Sequence, residues 1–205
     1  MNAVVAHCNV NGIRPRVPEL RERLAGVPVI ALQDTRLRDH RAAEELFGTE
    51  WPGYASYSIL HDEDGPGCSV LVSRSVGHRL SDTYTFSRHR LLVVDVELPD
   101  GPVSIASLYV PPLRASGGAP LSAGVIERAF AGHRRTLLIG DLNARTTDLG
   151  CQSSNANGDI LVELVDHLDL VIMNDPGRPT FRHVCLLYTS PSPRDLSTSR
   201  MPSSA

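Results

Sequence analysis

The chain has 205 residues, 41% hydrophobic and 21% charged, which suits one α/β domain with a sizeable core but not two. Its formal net charge of −3 argues against indiscriminate nucleic-acid binding through a large basic surface, though all 20 basic residues are arginine and a local cluster can still meet phosphate. No apolar run nears the ~20 residues of a membrane span, and Cys8, Cys68, Cys151 and Cys185 are too scattered for a zinc site or disulfide framework.

The opening Ala3-Val4-Val5-Ala6 lacks the basic flank and long apolar core of a signal peptide. It reads as the start of a strand over Val4 to Val10, in an intracellular protein, nuclear or cytoplasmic, with no membrane partner. Pro18 at a first-turn position predicts a short amphipathic helix closed by Gly26. Val27 to Leu32 is almost wholly apolar, as in a strand covered on both faces. A second helix is expected over Arg38 to Phe47, then strands over Tyr54 to Ile59 and Cys68 to Ser73. Leu91 to Leu98 and Val103 to Tyr109 flank Pro99-Asp100-Gly101-Pro102, a hairpin signal. Ala119 to His133 is weakly helical, Thr136 to Gly140 reads as a buried strand, and Asp159 to Leu168 has helical apolar spacing. Val171 to Met173 reads as one more strand. Strands alternating with helices and hairpins predict an α/β fold of two packed sheets flanked by helices.

Four strand ends carry small polar or acidic groups where α/β sheets usually hold ligands: Asn9-Val10-Asn11-Gly12, Gln33-Asp34-Thr35-Arg36, Leu108-Tyr109-Val110-Pro111 and Gly140-Asp141-Leu142-Asn143. Singly, such residues usually just make turns. Together they offer two carboxylates, carboxamides and a phenol, a set suited to a hard cation and a phosphate. Cys and His at metal-ligand spacing are missing, which points away from zinc.

This ordered set, with Pro179-Thr180-Phe181 and the glycine-led strand Cys68-Ser69-Val70-Leu71-Val72, resembles the endonuclease/exonuclease/phosphatase family. It looks most like the apurinic-like endonuclease domains of non-LTR retrotransposons. The resemblance covers residues 4 to 183 and implies a four-layer α/β sandwich of two mixed sheets. It implies a Mg²⁺-dependent phosphodiesterase (Mn²⁺ serving as well) that nicks DNA, in a parent protein that also carries a reverse transcriptase domain. By that resemblance Asp34 is the metal-ligating carboxylate and Asn9 orients the metal-site network. Tyr109 contacts the scissile phosphate, Asp141 positions or deprotonates the attacking water, and Asn143 holds a phosphate oxygen. Asn11, Arg36, Asn157 and Thr180 fall on the substrate side. Action on abasic DNA or a small phosphoester, and a non-catalytic degenerate fragment, are the alternatives.

Two departures from the family pattern stand out. Asp34 occupies a position where the family has Glu, one methylene or roughly 1.5 Å longer. The family's late metal-site Asp and its Ser-Asp-His motif have no counterpart after Phe181, where Ser and Pro dominate from about Val184 onward. The expectation is a domain over residues 1–183 that lacks its last strands and is inactive as it stands. Residues 184–205 read as a disordered tail resembling translated adapter DNA. His61-Asp62-Glu63-Asp64 reads as a solvated turn, and His7 as a core or interface histidine.

Overall fold

The computed structural model describes residues 4–63, 66–113, 119–132 and 135–174. Its strands form two four-stranded sheets, and both are mixed. The first has the order β1 (Val5–Asn9), β2 (Val29–Gln33), β4 (Cys68–Ser73), β3 (Tyr54–Ile59), with β1 and β2 parallel and the other pairs antiparallel. The second runs β5 (His78–Phe86), β6 (His89–Leu98), β7 (Gly101–Tyr109), β8 (Thr136–Asp141), with only β7 and β8 parallel.

Strand alternation sorts the side chains into three cores. Ile30, Leu32 and Leu71 point outward, onto Val17 and Leu20 of α1 (Val17–Arg23) and Ala43 and Phe47 of α2 (His40–Glu50). Val29, Ala31, Val70 and Val72 point the other way and meet Leu92, Val94 and Ile105 between the sheets. Leu91, Val93, Ala106 and Leu108 face Val125, Ile126 and Ala129 of α3 (Ala123–Phe130) and Leu164 of α4 (Ala156–His167). The result is the four-layer sandwich of two mixed sheets that the motifs implied. The central strands β2 and β4 are buried on both faces, and each fully buried Leu, Ile or Val contributes about 1.5–3 kcal/mol relative to exposure.

Several elements differ from the sequence reading. β5 has no counterpart there, because His78-Arg79-Leu80-Ser81-Asp82-Thr83-Tyr84-Thr85-Phe86 is largely polar and lies at a sheet edge, where one flank and one face need no apolar cover. β8 is half-buried rather than buried, since it too ends its sheet among the described residues. Val171–Met173 does not form a strand: Val171 is 87% and Met173 81% exposed, and the segment has no ladder partner among the described residues to satisfy its backbone. His7 is exposed on β1, the other edge, and is no core residue. α4 starts three residues earlier than its apolar spacing suggested, because the Asn155 side chain caps it by accepting from Gly158 N. Pro179-Thr180-Phe181, the Ser/Pro-rich tail and the expected last strands lie outside the described residues.

Candidate active site

The four motifs meet at one end of the sandwich. The parallel pair β1/β2 puts the C-terminal ends of both strands there, and the parallel pair β7/β8 does the same for Tyr109 and Asp141, which are register partners. Asn9 shares the inward phase of Val5, and Asp141 that of Leu137 and Ile139, so both point into the seam between the sheets. There the Asn9 amide Nδ2 donates to Asp141 Oδ2 at 2.7 Å, joining residues 132 positions apart. The other oxygen, Asp141 Oδ1, accepts the backbone N–H of Asn143 at 3.0 Å. The carboxylate therefore has a donor on each oxygen and one fixed orientation. Asn143 is held in turn by its Nδ2, which donates to Val110 O at 2.8 Å and so turns its amide oxygen away from that carbonyl.

The ladder between the first two strands continues into their loops. Val10 N donates to Gln33 O, Gly12 N to Asp34 O and Ile13 N to Thr35 O. Asn11 is thereby fixed beside Asp34. Arg36 closes the group: its Nε donates to Asp34 Oδ1 at 3.1 Å, its Nη2 to Asp34 Oδ2 at 3.3 Å, and its Nη2 also to Asn11 Oδ1. That pairing, with Asp34 itself largely buried, raises the guanidinium pKa further. Asn11, Asp34, Arg36 and Asn143 all have positive φ, between 47° and 56°. Asn and Asp tolerate that region. Arg36 does not favour it, and an uncommon backbone geometry of this kind costs on the order of 1–3 kcal/mol and clusters at functional sites.

Tyr109 is only 6% exposed and close enough to both carboxylates to feel their charge. Burial pushes its hydroxyl up to about 12, with further upward contributions from Asp34 and Asp141 and opposing ones from Arg88 and Arg36. At neutral pH it is a hydrogen-bond donor. A second polar link, Gln33 Nε2 to Ser107 Oγ at 3.0 Å, crosses the buried seam one residue behind Asp34.

Asn157 is placed differently from expectation. It is fully buried, its Oδ1 accepts Leu121 N at 2.8 Å, and its Nδ2 donates to Leu142 O at 3.1 Å. Both ends of its amide are committed to backbone, so it holds the loop from within. Asn155 acts on the same loop, donating to Asn143 O at 2.9 Å and accepting from Arg145 N at 3.0 Å. The two asparagines at the start of α4 thus hold residues 142–145 from behind. A Cβ on Gly158 would lie 1.8 Å from Arg145 O, so helix and loop approach to a distance only glycine permits. The Asn-x-Asn-Gly spacing was visible in sequence, but which asparagine faces inward was not. Thr180 lies outside the described residues. Asp62 is exposed, as expected of a turn, but it also pairs with Arg90, which is fully buried.

Among the described residues no three His, Cys, Asp or Glu side chains group into a metal cage. The donors present are two carboxylates and the amide oxygens of Asn9 and Asn143. They fit a Mg²⁺-type ion, which takes one or two carboxylates and keeps waters or substrate phosphate in its other positions.

Comparison with known proteins agrees with this fold. The family described as endonuclease-reverse transcriptase matches residues 103–186. The chain is 29% identical over 136 residues to the RNA-directed DNA polymerase from mobile element jockey of Drosophila funebris, a match covering 63% of this chain and 14% of that protein. Its fold matches the endonuclease domain of TRAS1, a telomere-specific non-LTR retrotransposon, with TM-score 0.67 and 19% identity, over 86% of this chain and 77% of that one. A 3'-5' exonuclease from Neisseria meningitidis matches with TM-score 0.54 and 16% identity, over 79% and 70% of the two chains. The fold is the one these nuclease structures share. In sequence the chain is similar to the endonuclease-reverse transcriptase family over residues 103–186 and to a mobile-element RNA-directed DNA polymerase. No helix among the described residues is long and apolar enough to cross a membrane.

Proposed function

We propose that this chain is a Mg²⁺-dependent phosphodiesterase domain that nicks DNA, derived from a retrotransposon protein whose parent also carries a reverse transcriptase. The observation that carries the reading is the Asn9–Asp141 bond across the sheet seam, beside Asp34 and a protonated Tyr109. That arrangement supports a reading in which an ion site, a water-orienting carboxylate and phosphate donors share one point.

Asp34, with the Asn9 amide oxygen, would hold Mg²⁺ or Mn²⁺, which when bound neutralises charge on the phosphate and leaving oxygens. Asp141 orients the attacking water and accepts its proton; its two donors keep the carboxylate aimed while it does so. Tyr109 donates to a non-bridging phosphate oxygen. Asn143, held through Val110 O, presents its amide to another. Asn11 and Arg36 bind the flanking backbone, and Arg36 exchanges its contact with Asp34 for phosphate when metal and substrate enter. The 205 residues contain no Ser-Asp-His after Phe181, so two phosphate-stabilising groups of the family are absent. Removing one such group costs about 10²–10³ in rate.

Supercoiled-plasmid nicking with Mg²⁺ tests the reading. The chain alone should give no more product than its Asp141→Ala variant. Fusion to a C-terminal segment bearing the family's Ser-Asp-His should produce nicking that Asp141→Ala or Asn9→Ala removes. Nicking by the fusion that survives Asp141→Ala would refute the assigned site.

A further inference from the structure

A cleft of about 420 Å³ opens at the same end of the sandwich but on the opposite flank, between the C-terminal end of β3 and the outer part of β5. Arg38, His40 and His61 line it from the first sheet's side, and Thr83 and Thr85 from β5. Its one carboxylate, Asp62, is engaged by the buried Arg90, which also donates to His89 O. Arg38 enters none of the ion pairs formed among the described residues. The Nδ1 of His61 is buried with no hydrogen-bond partner among them. A buried polar nitrogen without a partner is costly, so a turn of the ring toward the cleft that gave it a ligand atom would be favourable.

The chemistry of the lining selects the ligand. Guanidinium, imidazole and hydroxyl groups around a neutralised carboxylate suit a tetrahedral oxyanion. They do not suit a cation, and no metal-holding group of His, Cys, Asp and Glu occurs among the described residues. The position selects the source. Residue 90 is the register partner of Tyr109, so the cleft adjoins the scissile-phosphate site along the same rim of strand ends. Three strand spacings separate β1 from β3, or ~14 Å at ~4.8 Å each. That is too far for the same phosphate and within reach of one a few nucleotides along the same backbone.

We propose that this cleft is a second phosphate subsite, in which Arg38, His40 and His61 bind a backbone phosphate of the DNA strand whose scissile bond lies at Asp34 and Asp141. It rests on the nuclease reading and extends it. A mildly acidic protein thereby gains affinity from a few placed contacts rather than from a basic face, and the separation of the two subsites sets the path of the strand.

The test is DNA binding, which requires no turnover. Fluorescence anisotropy of a labelled 30-base-pair duplex is followed in EDTA over a salt series, with the 205-residue chain, Arg38→Ala, an Arg38→Ala/His61→Gln double variant and Arg135→Ala. Arg135 precedes β8 at the far end of the sandwich and serves as a charge-matched control. Each phosphate contact contributes ~0.9 to the slope of log K against log salt, or roughly eight-fold in affinity at 0.1 M salt. Arg38→Ala should lose about that factor and flatten the slope by about one, the double variant should lose more, and Arg135→Ala should do neither. Circular dichroism of each variant shows that it is folded. If the cleft variants bind like the parent chain with the same slope, the subsite is refuted and the nuclease reading stands. If the parent chain shows no salt-dependent DNA binding, both fall.

Discussion

Gly140 ties the fold to the site, and its replacement by alanine is the sharpest test of the geometry. It precedes Asp141 on β8, has φ of +146°, and a Cβ there would lie 1.8 Å from Leu108 O. The neighbour is backbone in a paired strand and cannot rotate aside. Alanine at such a φ costs about 1–3 kcal/mol. Restoring van der Waals distance requires the end of β8 to move from β7 by more than an ångström. That breaks two or three of the ladder bonds around Leu108, Tyr109 and Val110 N, at about 1 kcal/mol each. The expected loss is about 3–6 kcal/mol, a large share of a typical domain's stability. Urea unfolding followed by far-UV circular dichroism and by the fluorescence of Trp51, the single tryptophan, measures it. Gly48→Ala is the control: it lies exposed within α2 with no atom within 4 Å of the added methyl, and should gain about 0.5–1 kcal/mol. A Gly140→Ala variant within about 1 kcal/mol of the parent would refute the close approach, and with it the placement of Asp141 beside Asn9.

Three further outcomes are expected. The Tyr109 hydroxyl titrates near pH 12 against about 10 in the unfolded chain, so the stability it contributes is full below pH 10 and declines as pH rises from about 10 to about 12. Tyr109→Phe should flatten that decline, and Asp34→Asn should lower the titration seen by ultraviolet difference absorbance; an unmoved titration would place the carboxylate elsewhere. Asp34→Glu restores the family's longer side chain and should tighten Mn²⁺ binding measured by electron paramagnetic resonance; weaker binding would show a site adapted to the shorter carboxylate. Asp62→Ala leaves the fully buried Arg90 guanidinium without its carboxylate and should cost about 1–3 kcal/mol in urea unfolding, whereas Arg90→Met should cost less than Asp62→Ala; the reverse order would show that the pair is not what holds the loop.

The sequence by itself determined the sandwich and the order of its motifs. Apolar runs such as Val29–Gln33 and Cys68–Ser73 are buried strands whatever follows them, and Pro99-Asp100-Gly101-Pro102 turns a hairpin on local grounds. Asn9, Asp34, Tyr109 and Asp141 were readable as strand-end residues because their polarity interrupts apolar runs where strands stop. Only the tertiary structure decided which of them touch. That Asn9 bonds Asp141 depends on the ends of β1 and β8, 132 residues apart, meeting across the seam. Nothing local in a polar edge strand announced β5, and without β5 the cleft beside His61 has no second wall. Asn155 and Asn157 have the same chemistry and nearly the same position in sequence. One caps the helix and grips Asn143, while the other is buried against Leu121 and Leu142, because a helix start turns successive side chains about 100° apart. The isolated apolar triplet Val171–Met173 looked like a strand for the complementary reason: composition marks a segment able to pair, but pairing needs a partner, and the partner is a property of the fold.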